Sequence, residues 1–246
     1  MPLFDALLAL LAPERCVACG RRATPPWCDP CSAAADRLRA GAGCPRCGGR
    51  SAPHPCWRRD VAIVRTVVAF HYSGPVAAAV VAGKARGAWA AWELLGRHLA
   101  AAVVAAQDVD VEVVTWVPPD ERRQRDRGFD HAGCLAGPVA AELGVPLRRL
   151  LVARPGRPDQ ARLPPRARMA LPDDAFTAVG ALPGRSVLLV DDVLTTGATA
   201  RAAARTLVGA GAAPIRLAVL ARAGDHALAA APPARATRRR VARRVS

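Results

Sequence analysis

The sequence predicts an α/β fold: an open parallel sheet flanked by helices, with a small cysteine-built module in front. Three observations carry that expectation. Strand-like and helix-like segments alternate from about residue 61 onward, the pattern of strand–helix–strand units. The run "SVLLVDDV" is apolar without alternation, as strands buried on both faces are. Seven of the eight cysteines fall between Cys16 and Cys56, mostly as C-x2-C pairs.

In chain order, "MPLFDALLALLAPERC" lacks a positive leading segment and carries Asp5, so it reads as a short amphipathic helix stopped by Pro13 rather than as a signal peptide. The charged residues that interrupt the Ala/Val-rich stretch near residues 75–106 exclude a membrane span there, and the cytoplasm is the expected location. In a reducing compartment, C-x2-C pairs are metal sites before they are disulfides. Cys16, Cys19, Cys28 and Cys31 form a full tetrahedral set for structural zinc. Cys44 and Cys47 begin a second set that continues with His54 and Cys56, and Arg59 stands where a last cysteine would be expected. A crossed arrangement of the first and third pairs, or free thiols, remains open for this second set. The module spans residues 1–59, and so few large apolar side chains would need metal to fold.

Residues 60–222 carry the sheet. "VAIVRTVVAFHY" is a strand. One or two helices follow, punctuated at Gly83 and Gly87. "VDVEVVTWV" is a strand closed by two prolines, and "DERRQRDRGFD" a charged loop. "HAGCLAGPVAAELG" is a helix ended by Gly144, with Pro138 a blemish. Cys134 in it reads as a small buried hydrophobe. "VPLRRLLV" is a short strand, and the proline-rich stretch after it a long loop. "GRSVLLVDDV", "TGATARAAARTLVGAGA" and "PIRLAVLAR" complete a final strand–helix–strand unit. Residues 223–246 are a basic tail with no expected order.

The formal charge is +15, and Lys84 is the only lysine among the basic residues. Such a balance favours polyanionic partners, although a genome rich in Arg codons would raise the same count.

Ligands of open α/β sheets bind beyond the carboxyl ends of the strands. Asp191 and Asp192 stand there. Thr195, Thr196, Gly197, Ala198 and Thr199 form the turn into the next helix, where free N–H groups and the positive end of the dipole favour a phosphate. Carboxylates repel phosphate but accept hydrogen bonds from sugar hydroxyls, or hold a Mg²⁺ bridging sugar and diphosphate. Two acids beside a phosphate cradle therefore fit a ribose 5-phosphate. The bland alternative is that Asp192 merely caps the turn.

"VLLVDDVLTTGAT" resembles the phosphoribosyl-diphosphate motif of type I phosphoribosyltransferases. The C-x2-C pairs, "GKARG", "VPPDERRQRDRGFD" and "RPDQARLPPRARM", in this order, closely resemble the ComF family over nearly the whole chain. These are cytoplasmic, phosphoribosyltransferase-like proteins linked in some bacteria to DNA uptake. The resemblance implies a type I phosphoribosyltransferase-like sheet with an N-terminal zinc ribbon. It makes Asp191 and Asp192 the candidate catalytic pair, holding the ribose hydroxyls, and the turn from Thr195 to Thr199 the 5-phosphate site. Arg123, Arg127 and Gly128, with Lys84, become candidates for the diphosphate. Arg154 and Gln160 stand at the family's usual positions in a mobile flap. Mg²⁺ is implied with the diphosphate. The resemblance leaves room for a homodimer or a contact with DNA-uptake machinery. The sequence departs from the family at Asp130 and His131, where the pattern R-G-F-N-Q is usual, at Arg59, and near Pro172, where an asparagine is missing.

The acceptor is not named by any motif. A second reading is a non-catalytic protein that binds single-stranded DNA, supported by the arginines of the module and the tail. Trp27 and Trp57, beside the cysteines, would be its stacking residues.

Overall fold

A computed structural model describes residues 15–23, 26–50, 54, 56, 62–86, 89–107, 109–119, 128–154 and 174–224. The elements are α1 (Asp29–Asp36), β1 (Ile63–His71), α2 (Gly74–Arg86), α3 (Trp89–Ala105), β2 (Val113–Trp116), α4 (His131–Leu143), β3 (Leu151–Ala153), β4 (Phe176–Ala178), β5 (Val187–Leu194), α5 (Ala198–Gly209) and β6 (Ile215–Arg222). The main sheet has the order β1-β6-β5-β2, and every pairing in it is parallel. This is the open parallel α/β sheet, flanked by helices, that the alternation predicts.

β5 and β6 lie in the middle of the sheet, so both faces of each are covered. That explains the absence of alternation in "VLLV". Side chains of a strand still alternate between faces. Leu188 and Val190 enter the core beneath α2, α3 and α4, together with Val76, Trp92, Leu95 and Leu135. Val187 and Leu189 enter the opposite core, filled by Ala202, Ala203 and Leu207 of α5. Small alanines let α5 lie close to the sheet.

Three local expectations are corrected. The strand expected in "VPLRRLLV" forms only at its end, as β3. It leaves the main sheet to pair antiparallel with β4, a strand the proline-rich context concealed. The segment before it makes a single parallel bridge, Val114 to Leu147. The strand carrying the acids does not stop at them: β5 continues through Leu194, because Val193 and Leu194 still pair with Ala221 and Arg222. Cys134 is half-buried rather than a core residue.

The cysteine module is docked on the edge strand β1. His71 N–H donates to Leu38 O (2.7 Å), Ala40 N–H to Ala69 O (2.9 Å) and Thr66 N–H to Pro45 O (2.7 Å). An edge strand left bare would invite pairing with another chain, and this docking satisfies it. Cys16, Trp27, Cys31 and Ala35 belong to the same buried cluster as Phe70 and Leu99. Trp27 packs edge-on to Phe70, with ring centroids 5.7 Å apart, and against His98 at 5.1 Å. It is therefore not available to stack on bases. The other expected stacking residue, Trp57, lies outside the described residues, as do the N-terminal helix, Arg59 and the basic tail.

Candidate functional site

The first C-x2-C turn is a tight knuckle. Cys16 N–H donates to Arg21 O and Gly20 N–H returns to Cys16 O, both at 2.8 Å. The third pair repeats it: Cys44 N–H to Gly49 O (2.8 Å) and Gly48 N–H to Cys44 O (2.7 Å). Each knuckle gathers its own four-ligand set. The ligand atoms of Cys16, Cys19, Cys28 and Cys31 lie within 4.8 Å of one another, and so do those of Cys44, Cys47, His54 and Cys56. The sets are not crossed. Cys19 Sγ and Cys28 Sγ are 3.7 Å apart, as are Cys44 Sγ and Cys56 Sγ. A tetrahedral zinc with metal–sulfur bonds of about 2.3 Å needs sulfurs about 3.8 Å apart, so the cages fit zinc.

The thiols of each cage are driven apart electrostatically. Burial pushes Cys16 up, but N–H groups of Cys19, Cys28 and Ala18 aimed at its sulfur outweigh that and leave it at about 7. Cys44 falls to about 6: burial opposes the fall, while N–H groups of Cys47 and Arg46 and the His54 side chain produce it. Burial and the neighbouring thiols push Cys31 far up and Cys47 up to about 12. Thiols this close, four in the first cage and three in the second, ionise together only when a cation neutralises them.

The second site lies at the carboxyl ends of β1, β5 and β6. Gly197 adopts φ 76° just before α5, a left-handed conformation that favours glycine, and no side chain caps the helix. The first N–H groups of a twelve-residue helix are thus offered to an anion, with the exposed Thr195 and Thr196 beside them. Ala198 N–H makes only a long contact, 3.4 Å, to Thr196 Oγ1. Ala198 itself is buried and Thr199 half-buried.

Asp191 is half-buried, and its Oδ1 accepts Asp192 N–H at 2.9 Å. Asp192 is only 6% exposed. Its Oδ1 accepts Val193 N–H (2.6 Å), and its Oδ2 pairs with Lys84 Nζ and lies 3.1 Å from His131 Nε2. Burial alone would raise the Asp192 pKa, but Lys84 and His131 overcome it and hold the carboxyl well below the usual range. Tyr72, at the end of β1, feels both Lys84 and Asp192, and burial raises its pKa.

Sequence reasoning missed the contact of His131 with Asp192. Asp130 explains the departure at this point. Its Oδ1 accepts Gly133 N–H (3.0 Å) as the N-cap of α4, and its Oδ2 accepts the Trp116 indole N–H at 2.6 Å. Asp and Asn cap helices equally well, so the cap was legible, but the Trp116 partner was not. His131 is thereby fixed as the first residue of α4, facing Asp192.

The other candidates are dispersed. Gly128 is described at the foot of α4, while Arg123, Arg127 and Gln160 lie outside the described residues. Arg154 is exposed at the end of β3 and pairs with Asp174 at 3.1 Å. Among the described residues, the clusters of three or more metal-ligating groups are the two cysteine sets.

Residues 132–237 match the family described as the phosphoribosyl transferase domain. The chain is 41% identical over 104 residues to an adenine phosphoribosyltransferase of Frankia alni, covering 38% of this chain and 48% of that one. It also resembles two solved structures. One is the allosteric regulatory enzyme of purine biosynthesis (25% identity, 52% of this chain, 25% of that chain, TM-score 0.36). The other is glutamine phosphoribosylpyrophosphate amidotransferase from B. subtilis complexed with ADP and GMP (26% identity, 52% of this chain, 26% of that chain, TM-score 0.35). The chain thus spans about half the length of the curated relative and about a quarter of each solved chain. With the parallel sheet, the acid pair and the uncapped helix already in place, the match identifies a phosphoribosyl transferase domain in this chain.

Proposed function

We propose that the protein binds phosphoribosyl diphosphate and transfers ribose 5-phosphate to an acceptor that no motif identifies. The observation that carries this reading is the left-handed Gly197 at the open N-terminus of α5, immediately after the acid pair. The turn offers N–H groups and hydroxyls to the 5-phosphate, and the acids are suited to sugar hydroxyls. Transfer passes through an oxocarbenium-like state, so the protein's part is to orient the sugar and neutralise the departing diphosphate. Arg123 and Arg127, with Lys84, are proposed for that neutralisation and the Gly128 backbone for contact with the diphosphate, with Arg154 and Gln160 closing over the site. Mg²⁺ would enter as the magnesium salt of the substrate, since it binds few protein carboxylates and uses substrate phosphates.

Within the transferases, the order of cysteine pairs and motifs favours a ComF-like protein of the cytoplasm, and this too is a proposal. The deciding experiment is titration of the protein with phosphoribosyl diphosphate and Mg²⁺, following heat and diphosphate release. Binding with release supports the transferase. No binding overturns it and favours the second reading, a nucleic-acid-binding accessory protein, for which the net charge of +15 is the supporting observation.

A further inference from the structure

The two cysteine cages meet the rest of the chain in different ways. The first is buried by apolar packing, with Cys16 and Cys31 in the cluster that holds Trp27 and Phe70. The second is tied to the sheet by hydrogen bonds. Three successive carbonyls of its Cys44–Cys47 turn each have a donor on the sheet. Thr66 N–H donates to Pro45 O (2.7 Å), Thr66 Oγ1 to Arg46 O (2.6 Å) and Arg222 Nη1 to Cys47 O (2.7 Å). Thr66 and Arg222 are each only 8% exposed. On the far side of the first two of these peptide units, the N–H groups of Arg46 and Cys47 are directed at the Cys44 sulfur. Each unit thus runs from a donor on the sheet to a ligand atom of the cage, the kind of outer partner that orients metal ligands. Gly48, at φ 70°, lets the turn sit this close: a Cβ there would lie 2.5 Å from Val68 Cγ2. Arg222 is also the last residue of β6. Its main chain pairs with His71 of β1 and Leu194 of β5. Its carbonyl accepts Tyr72 N–H, and the next residue, Ala223, donates to Leu194 O, both at 2.8 Å. Leu194 immediately precedes Thr195, where the turn into α5 begins. One buried residue therefore holds the second cage with its side chain and the root of that turn with its main chain.

We propose that Arg222 is a positioning residue that couples the second cysteine cage to the turn after β5. A cation held by Cys44, Cys47, His54 and Cys56 fixes the Cys47 carbonyl, and that carbonyl fixes the guanidinium and the carboxyl end of β6. When the cage empties, nothing gathers its four ligands. The carbonyl shifts, and the buried guanidinium moves with it, because leaving such a charge without this acceptor is costly. The coupling is reciprocal: a ligand that orders the turn tightens metal in the second cage and not in the first. The ligand side of the proposal rests on the phosphoribosyl reading, whereas the tie between sheet and cage does not.

The test uses the full chain loaded with zinc. Zinc affinity is read by competition with a chromogenic chelator, and phosphoribosyl diphosphate affinity by calorimetry in excess Mg²⁺. The ion of the second cage is the one that Cys56→Ser fails to hold. Arg222→Met is expected to weaken that ion at least about tenfold and to leave the ion of the first cage within about twofold. Arg222→Lys, which keeps a charged donor, is expected to recover part of the loss. Cys56→Ser is expected to weaken phosphoribosyl diphosphate binding at least about fivefold, and to add little further loss in an Arg222→Met background. Saturating phosphoribosyl diphosphate is expected to tighten the second ion by a similar factor in the wild type and to leave it unchanged in Arg222→Met. Equal zinc affinities in the wild type and Arg222→Met, strictly additive losses, or a wild-type chain that holds one zinc only would overturn the proposal. Should Arg222→Met fail to fold, Thr66→Val, which removes the hydroxyl donor at nearly constant shape, is expected to weaken the second ion at least about threefold; an unchanged affinity would overturn the tie. A wild-type chain that takes up no phosphoribosyl diphosphate removes the coupling to the turn together with the functional reading, whereas the zinc affinities still decide the tie between sheet and cage.

Discussion

Asp192 stays ionised in a buried site because two groups on two helices converge on it. The depressed pKa fixes the sign of a pH effect. The unfolded chain would ionise this carboxyl near about 3.9. Its contribution is fully present above that value and is lost as pH falls through the lower folded pKa. Thermal midpoints taken from about pH 6 to pH 2 should therefore fall more steeply in the wild type than in Asp192→Asn, which has no such proton to take up. A parallel decline in both would show that other carboxyls govern acid stability. Asp130 makes a different point about single residues. Its two oxygens serve the α4 cap and the Trp116 indole at once. Asp130→Ala should cost about 2 kcal/mol, the sum of a lost cap and an orphaned indole N–H, read from denaturant unfolding.

At the scale of elements, the cysteine knuckles and the α5 turn each depend on a backbone shape. The knuckles hold thiols at zinc spacing, and the chain between and after them satisfies the β1 edge. Metal analysis should find one to two zinc ions per chain. Removal by a strong chelator should collapse the near-ultraviolet dichroism of buried aromatics, because Trp27 and Phe70 are packed against the first cage. Retention of that signal in metal-free protein would separate the cages from the core. In the α5 turn, Gly197→Val should weaken phosphoribosyl diphosphate binding by at least about tenfold, since a β-branched residue at positive φ reshapes the cradle. Calorimetry decides this, provided the variant unfolds at nearly the wild-type temperature.

For the whole molecule, charge and fold speak to different partners. The proposed ligand of the sheet and its acid pair is a small phosphorylated sugar, whereas +15 charges favour polyanions at large. The two separate experimentally. Deleting residues 225–246, which carry the run "RRRVARR", should leave phosphoribosyl diphosphate binding intact and weaken single-stranded DNA binding at low salt. Equal DNA affinity with and without the tail would place any nucleic-acid contact elsewhere. No helix among the described residues is long and apolar enough to cross a membrane.

The parallel sheet was legible because central strands bear an unbroken apolar run, and periodicity is a local property. The cysteine clusters were legible because C-x2-C spacing is itself a chelating geometry, and the left-handed turn before α5 because glycine before a helix is a local backbone signal. β3 and β4 were misread since their pairing joins short strands across a proline-rich stretch. The residues alone thus carried the class of fold and the clustering of the cysteines. Only the tertiary structure decided that Trp27 is buried, that the cysteine module seals the β1 edge, and that Lys84 and His131 meet on Asp192. The reason is physical: each depends on side chains far apart in sequence approaching across a face of the sheet, and no local pattern encodes that approach.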